Sequence, residues 1–462
     1  PLFPAPFVQQ ICTMVEGLAP LDIDRLPASY FVENQRSAMD MLAEHLREDL
    51  PETISLAKAA ARTQKEMVEN LFFLAQNRPY ALREEANARA LLGNRLKLSP
   101  SRLDRYYHCP FQYFCQDMLG LRPRKKAEFS PIQSGSVIHF VLEQMVSRHG
   151  ARGLHQLTRA ALREECQQLL AQYLQTVFGE GEIPKRMRYL FSRLTDTLTR
   201  LLSQLAREFA QSQFEPVDFE LPIREYGENK PVELVSKTGE HILVEGIIDR
   251  VDMAVVRGKK YVRVVDYKSG VKQFSLSDIA YGLNMQMLIY LFSLWENGAG
   301  KYKDCYPAGV LYMPAKSEII TADRHTTPEQ MEQEHAKTLK MNGLLLEDEE
   351  VVEAMEPEVR GVFIPAKKKK DGTFDKLSSL ATLARFGKLS RHVNDEITCM
   401  ADALCQGRIG ADPVEQGGIP ACHWCDFQAV CKHEGGDGAQ LLPTLDKETF
   451  YAQLDERYGE EE

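Results

Sequence analysis

The stretch Val244-Glu245-Gly246-Ile247-Ile248-Asp249-Arg250-Val251-Asp252, with Val264-Val265-Asp266-Tyr267-Lys268-Ser269-Gly270 just beyond it, decides how the chain folds. Both halves are rich in β-branched residues, and Arg257-Gly258-Lys259 between them supplies a turn. They therefore read as the two arms of a β-hairpin. Successive side chains of a strand point to opposite faces, so Asp266 and Lys268, two apart, share one face. In the hairpin register Asp249 falls opposite Asp266 or Lys268 and joins them there. Two carboxylates and an amine then meet within about 5 Å. In another register, Glu245 or Asp252 would stand in for Asp249.

Such a group is costly in an apolar sheet unless something compensates it, and Val262, Val264 and Val265 make these surroundings apolar. By spacing alone, Asp266 and Lys268 also read as an ion pair on an exposed strand. A hard divalent cation is the compensation that carries chemistry. Mg²⁺, or Mn²⁺ in its place, takes oxygen ligands, keeps waters that a phosphate can replace, and lowers the pKa of a water. A neighbouring lysine can orient or deprotonate that water, or stabilise the transition state of phosphoryl transfer.

Upstream, residues 1–98 read as helical, with apolar residues at helical spacing over 37–50 and 54–74. A new unit opens at Ser99-Pro100-Ser101, where Ser99 or Ser101 caps a short helix that runs through Tyr107 and stops near Cys109-Pro110. Ser134 opens a second helix through His139 and Glu143. Residues 154–214 read as long amphipathic helices, with Leu169, Leu170, Leu174, Leu194, Leu198, Leu201 and Leu202 facing a core. Beyond Pro216, strands are expected at 218–224, 232–236, 241–256 and 260–268. A helix at 276–295, a strand at 308–313 and helices at 328–345 and 387–406 follow. Helix, several antiparallel strands, helix, strand is the order of an α/β sandwich core and not of a doubly wound repeat. The acidic end at Glu460-Glu461-Glu462 reads as frayed.

A chain of 462 residues is expected to form two or three domains. With 44% hydrophobic and 26% charged residues it has the composition of a soluble globular protein. No apolar run approaches the roughly 20 residues of a membrane span, and no signal peptide is evident. A net charge of -10 excludes a wholly basic nucleic-acid coat, but not local phosphate contacts. Two basic runs, Arg122-Arg124-Lys125-Lys126 and Lys367 to Lys370, read first as solvated faces; the second, beside Asp371-Gly372, reads as a hairpin or loop tip. The chain begins at Pro1 and is expected to be a piece of something longer.

Most of the ten cysteines sit in apolar or helical surroundings, as buried thiols of a cytoplasmic protein do. Cys422, Cys425 and Cys431 are different: two and then five residues separate them, a spacing that reads as a metal site. Zinc, with His423 or His433 completing four ligands, is one reading. Zinc sites more often pair two Cys-Xaa-Xaa-Cys halves, and a second half is missing.

The pattern Gly-Xaa-Xaa-Asp-Arg-Xaa-Asp, then Asp-Tyr-Lys-Ser-Gly, then Gln286-Met287-Leu288-Ile289-Tyr290 resembles the RecB-type branch of the PD-(D/E)XK nucleases. The resemblance implies a restriction-endonuclease-like core, a mixed central sheet flanked by helices, here with large helical insertions. It implies that Asp249, Asp266 and the peptide carbonyl of Tyr267 bind the catalytic metals, and that Lys268 is the catalytic amine. Gln286 and Tyr290, one turn apart on one helix face, would position the DNA strand and the site. The family also carries a Gly-Xaa-Xaa-Xaa-His pattern, here Gly135 to His139, which implies that His139 is a metal ligand. Taken alone, a histidine in an apolar helix reads as a packed core residue.

Tyr106-Tyr107-His108-Cys109-Pro110-Phe111 lies more than three hundred residues before the late cysteines. The combination resembles the iron-sulfur staple of the AddB family, the nuclease-bearing subunits of bacterial helicase-nucleases. It implies a [4Fe-4S] cluster on Cys109, Cys422, Cys425 and Cys431, with a structural role because it closes so long a loop; Cys115 is the rival to Cys109. The resemblance runs from about Leu98 to His433. It implies a cytoplasmic DNA exonuclease that cuts one strand, the 5′-ended one, at duplex ends in double-strand-break repair. Its partner would be an AddA-type helicase-nuclease subunit, the two forming a heterodimer. On this reading residues 1–98 end an upstream helicase-like region, 99–440 form the nuclease with its staple, and 441–462 are a tail. The chain has no Walker-type phosphate loop, so an ATP site would lie upstream. Two alternatives remain: a free-standing CRISPR-associated nuclease of the RecB type, and a non-catalytic DNA-end-binding module. Retention of Asp249, Asp266 and Lys268 argues against the second.

Overall fold

The computed structural model describes residues 6–19, 26–46, 51–75, 80–93, 95–123, 131–178, 185–268, 270, 273–315, 325–431, 433 and 438–459. The first nine of its strands begin, in chain order, with β1 (Leu96–Leu98), β2 (Glu215–Ile223), β3 (Val232–Val235), β4 (His241–Val244), β5 (Gly246–Val256) and β6 (Lys259–Lys268). β7 (Cys305–Pro314), β8 (Asn342–Leu346) and β9 (Leu380–Ala381) follow. Six of them form a mixed sheet in the order β2-β5-β6-β7-β8-β9.

The hairpin forms as expected. Arg257 and Gly258 join β5 to β6 with φ of 49° and 74°. Two positive φ values are what a type I′ turn needs to match the twist of its strands, and glycine adopts one at little cost. From β6 the chain crosses over to β7, which runs parallel to it. The crossover carries the helix Gln286–Asn297, whose residues Met287 to Leu294 are all buried.

Three expectations fail at breaks. The strand expected at 241–256 divides at Glu245: β4 leaves for a small sheet, β1-β4-β3, and β5 stays in the large one. At the break Glu245 N donates to Leu98 O at 2.9 Å, and its carboxylate accepts from Glu225 N at 3.0 Å. The partner β1, in a region read as helical, is three residues long and gives too short a pattern to be seen. The helix expected at 276–295 is two helices, Leu276–Ala280 and Gln286–Asn297, parted where Gly282 and Asn284 take φ of 75° and 55°. The helix expected at 328–345 ends at Thr338, and Asn342–Leu346 is a strand paired with β7 and β9. A leucine run buried on both faces shows no alternation that would announce a strand.

Helices Pro131–Gln156, Arg159–Phe178 and Lys185–Gln211 pack with the large sheet into one core. Leu169, Leu170, Leu174, Leu198, Leu201 and Leu202 are buried there as expected, and Leu194 is half-buried. The first of these helices begins at Pro131, ahead of Ser134. The short helix Pro100–His108 takes Ser99 as its N-cap residue and ends at Cys109.

The chain divides into two units, Pro1–Pro79 and Tyr80–Glu462. In the first, helices Gln35–Glu44, Pro51–Ala60 and Lys65–Ala75 stand where longer ones were expected, and Met39, Leu42, Ala57 and Val68 form their core. Strand β1 belongs to the second unit. The C-terminal segment is a helix, Lys447–Tyr458, that buries Phe450 and Leu454 in the main core. Asp455 ties it to Arg385 and Lys388, and residues 460–462 lie outside the described residues. No helix among the described residues is long and apolar enough to cross a membrane.

Candidate active site

Arg250 pairs with Val265 across the hairpin, so the next step of the register sets Asp249 beside Asp266. The Tyr267 N–H donates to Asp249 Oδ2 at 3.1 Å. Lys268 Nζ lies 2.6 Å from Asp266 Oδ2. The break before the Gln286–Asn297 helix sets Gln286 at its first turn, where Nε2 donates to Asp266 Oδ1 at 3.4 Å. One turn on, Tyr290 rests against Gly246: a Cβ at that glycine would come within 2.4 Å of the tyrosine hydroxyl. The first glycine of the sequence pattern is thus there to admit Tyr290.

His139 reaches the same place from the Pro131–Gln156 helix. Its Nε2 lies 3.3 Å from the Tyr267 carbonyl oxygen and 3.4 Å from Asp249 Oδ2. All seven residues expected at the site therefore meet: His139, Asp249, Asp266, Tyr267, Lys268, Gln286 and Tyr290. Sequence reasoning missed two more. Glu220, on β2, faces His139 Nδ1 at 3.3 Å. A single acid on a strand before the hairpin carries no pattern, and only the β2–β5 pairing brings it here. Tyr312 on β7 pairs with Asp266, and the Lys268 ammonium lies 5.7 Å from the centre of its ring.

Burial, and then the charge of Asp266, push the Asp249 carboxyl up to about 7, against the pull of His139, the Tyr267 N–H and Lys268. Burial pulls His139 down, but Glu220, Asp249 and the Tyr267 carbonyl outweigh it and raise the imidazole to about 9. Burial pushes the Tyr290 phenol up to about 12, so its hydroxyl is neutral. Asp266 Oδ2 is buried and has no aligned hydrogen-bond donor among the described residues; Lys268 approaches it closely, but outside hydrogen-bond geometry. Two crowded carboxylates, one of them paired with Lys268, beside a backbone carbonyl and an imidazole suit a hard divalent cation. Ligand atoms of His139, Glu220 and Asp249 lie within 4.8 Å of one another, the one such group among the described residues.

The two reserve carboxylates are elsewhere. Asp252 is an odd number of residues from Asp249, hence on the other face, where it is fully buried between Arg250 and Arg263 with Glu208 beside them. Glu245 sits at the strand break near Lys97 and Glu225. Arg250 also donates to the Tyr267 hydroxyl at 2.7 Å, which anchors the strand whose carbonyl lines the site.

The cysteines gather at a second centre. Cys109 lies between helices Pro100–His108 and Pro110–Tyr113, and packs with Cys425 against buried Phe111, Cys115, Phe427 and Cys431. Backbone N–H groups point at the sulfurs: those of Phe111 and Gln112 at Cys109, that of Phe427 at Cys425 (3.4 Å) and that of His433 at Cys431 (3.4 Å). Such donors favour thiolates, although burial raises the free Cys109 thiol to about 11. His423 packs edge-on against the exposed Trp424. Of the basic runs, 367–370 does form a hairpin end, with Lys368 drawn back onto Glu349 and Glu353. Arg122 donates to the Gln116 carbonyl, and Arg124, Lys125 and Lys126 lie outside the described residues.

The sequence profile of the PD-(D/E)XK nuclease superfamily matches residues 97–432. The chain is 32% identical over 377 residues to an ATP-dependent helicase/deoxyribonuclease subunit of Acetivibrio thermocellus, a match that covers 80% of this chain and 32% of that protein. It is 34% identical over 360 residues to the protein of the same name from a Thermoanaerobacter species, covering 76% of this chain and 31% of that one. The chain thus spans about a third of the length of these curated relatives. The matched region takes in the hairpin, His139, the Gln286–Tyr290 turn and the late cysteines. With its acids and lysine converged on one face of a mixed sheet, the chain belongs to the PD-(D/E)XK nuclease superfamily.

Proposed function

We propose that this chain is the nuclease part of an AddAB-type helicase-nuclease. It is a cytoplasmic, Mg²⁺-dependent exonuclease that hydrolyses phosphodiester bonds of one DNA strand, the 5′-ended one, at duplex ends during double-strand-break repair. An AddA-type subunit is its heterodimeric partner. The observation that carries the reading is the convergence of Asp249, Asp266 and Lys268 with His139 and the Tyr267 carbonyl. The names of the relatives, which join helicase and deoxyribonuclease, support the substrate and the partner.

Asp249, Asp266, His139 and the Tyr267 carbonyl would hold the cation. When bound, a divalent cation neutralises charge on a phosphate and makes water more acidic. Lys268 stabilises charge that develops on the phosphate, or orients the attacking water. Gln286 fixes the orientation of Asp266 through Oδ1, and Tyr290 locks the start of β5 through Gly246.

Cys109, Cys422, Cys425 and Cys431 hold a [4Fe-4S] cluster in this reading. The amides aimed at Cys109, Cys425 and Cys431 support the choice of Cys109, whereas Cys115 is shifted only by burial and by Cys425 and Cys431.

The test is digestion of linear duplex DNA, each strand labelled in turn, by the chain alone and with its AddA-type partner. Wild type should cut the 5′-ended strand with Mg²⁺ and stop with a chelator. Asp266→Ala and Lys268→Ala should each slow cutting by about 10²-fold or more. End binding by wild type without metal-dependent cutting in either form would overturn the reading.

A further inference from the structure

His139 is gripped at both ring nitrogens. Nε2 faces Asp249 Oδ2 and the Tyr267 carbonyl, at 3.4 and 3.3 Å, whereas Nδ1 faces Glu220 Oε1 at 3.3 Å. An imidazole that binds a cation gives it one nitrogen lone pair and keeps one N–H, and the partner of the N–H decides which nitrogen faces the cation. We infer that Glu220 is a positioning residue: by accepting the Nδ1 proton it turns the Nε2 lone pair of His139 toward the metal position shared with Asp249 and Tyr267. The inference rests on the metal-site reading given above.

Two observations favour this role over direct ligation by Glu220, and a third shows that its position is held. The Asp249 carboxylate and the Tyr267 carbonyl lie on the Nε2 side of the ring, and Glu220 lies on the Nδ1 side. The Glu220 side chain is 41% exposed against 12% for Asp249, so it sits at the rim of the site. Its backbone takes φ of 47°, in the left-handed region that side chains other than those of glycine and a few polar residues avoid. Such conformations are retained where the surroundings require them, and often at functional sites. Here the flanking pairs Phe219–Arg250 and Leu221–Ile248 hold β2 in register, which keeps Glu220 next to Asp249 and beneath His139.

The experiment is a Mn²⁺ titration of the full chain, with free Mn²⁺ read by electron paramagnetic resonance. Glu220→Ala should weaken binding about tenfold, the usual scale for losing the partner of a metal-bound histidine. Glu220→Gln, whose amide oxygen still accepts the Nδ1 proton, should recover most of that loss. In a His139→Ala background, Glu220→Ala should cost nothing further beyond about twofold, because both act through one ring. Metal-free Glu220→Ala should keep the wild-type circular-dichroism spectrum and a cooperative melt, which separates positioning from failure to fold. A further tenfold loss in the His139→Ala background would make Glu220 a ligand and overturn the inference. Wild-type affinity in Glu220→Ala would do the same. Absence of Mn²⁺ binding in wild type is the distinct result that defeats the metal site itself, and the inference with it.

Discussion

Arg250 clasps Asp252, two residues along the same strand, through Nε and Nη2 at 2.8 and 2.9 Å, and both side chains are shut off from solvent. Arg263 donates to the same carboxylate at 2.8 Å, and Glu208 balances the second guanidinium. Asp249 lies three residues earlier on the opposite face, among the site residues. One acid of the Asp-Arg-Xaa-Asp run is thus closed into the core and the other faces the candidate site, and the two can be separated by mutation.

Asp252→Ala strands two buried guanidinium groups with one remaining acid. It should destabilise the chain by about 3–5 kcal/mol, the scale for breaking a buried ion pair from one side. Urea unfolding followed by circular dichroism measures this. A change below about 1 kcal/mol would mean that the network is not closed as described.

Asp249→Asn should have the opposite profile. Cutting falls by about 10²- to 10³-fold, while the metal-free fold keeps or gains stability because a crowded charge is gone. The pH dependence has a definite sign. Asp249 is raised from 3.8 to about 7, so the folded chain binds that proton more tightly than the unfolded one. Its contribution is full below the ordinary carboxyl range and is lost as pH rises through about 7. His139, raised from 6.5 to about 9, acts in the same direction over a higher range. Melting temperatures without metal, taken from pH 5 to 8, should therefore favour Asp249→Asn over wild type increasingly as pH rises. A constant difference across that range would contradict the burial of Asp249.

Gly246→Ala places a methyl group within 2.4 Å of the Tyr290 hydroxyl and 2.7 and 2.9 Å of two ring carbons. Overpacking of this kind costs about 1–3 kcal/mol, and the displaced strand start should lower cutting as well. Tyr290→Phe should not rescue it, because the ring carbons are themselves too close. Thermal melts of the single and double variants decide the point.

Cys109→Ala and Cys115→Ala should part company in iron content. Loss of a thiolate that holds the cluster should empty it, whereas Cys115→Ala should keep about four irons per chain and the brown colour. Metal analysis of anaerobically purified protein reads this directly. Stoichiometric zinc in colourless wild type would replace the cluster with a zinc site.

Much of the site was legible before any coordinates. A period of two sets Asp266 and Lys268 on one face, and a turn near Arg257-Gly258-Lys259 brings Asp249 opposite one of them. Gln286, Tyr290 and His139 came only from the family resemblance, since neither one helical turn nor a histidine in an apolar helix marks a site by itself, and three of the cysteines came from their spacing. What escaped was non-local. Glu220 carries no pattern of its own, and it enters only because β2 pairs with β5. The Asn342–Leu346 strand escaped because leucines buried on both faces erase alternation, and the break at Glu245 because its bonds go to residues 98 and 225.

Local spacing thus determined which residues can share a face, since strand and helix periods and turn chemistry depend on neighbours in the chain. The pairing of strands and the packing of helices decided the rest. They chose Asp249 over Glu245 and Asp252, brought His139 and Glu220 together from different elements, and carried Cys109 to Cys425 across the length of the domain. Those choices hinge on burying apolar surface between segments far apart in sequence, and no local pattern encodes where such segments meet.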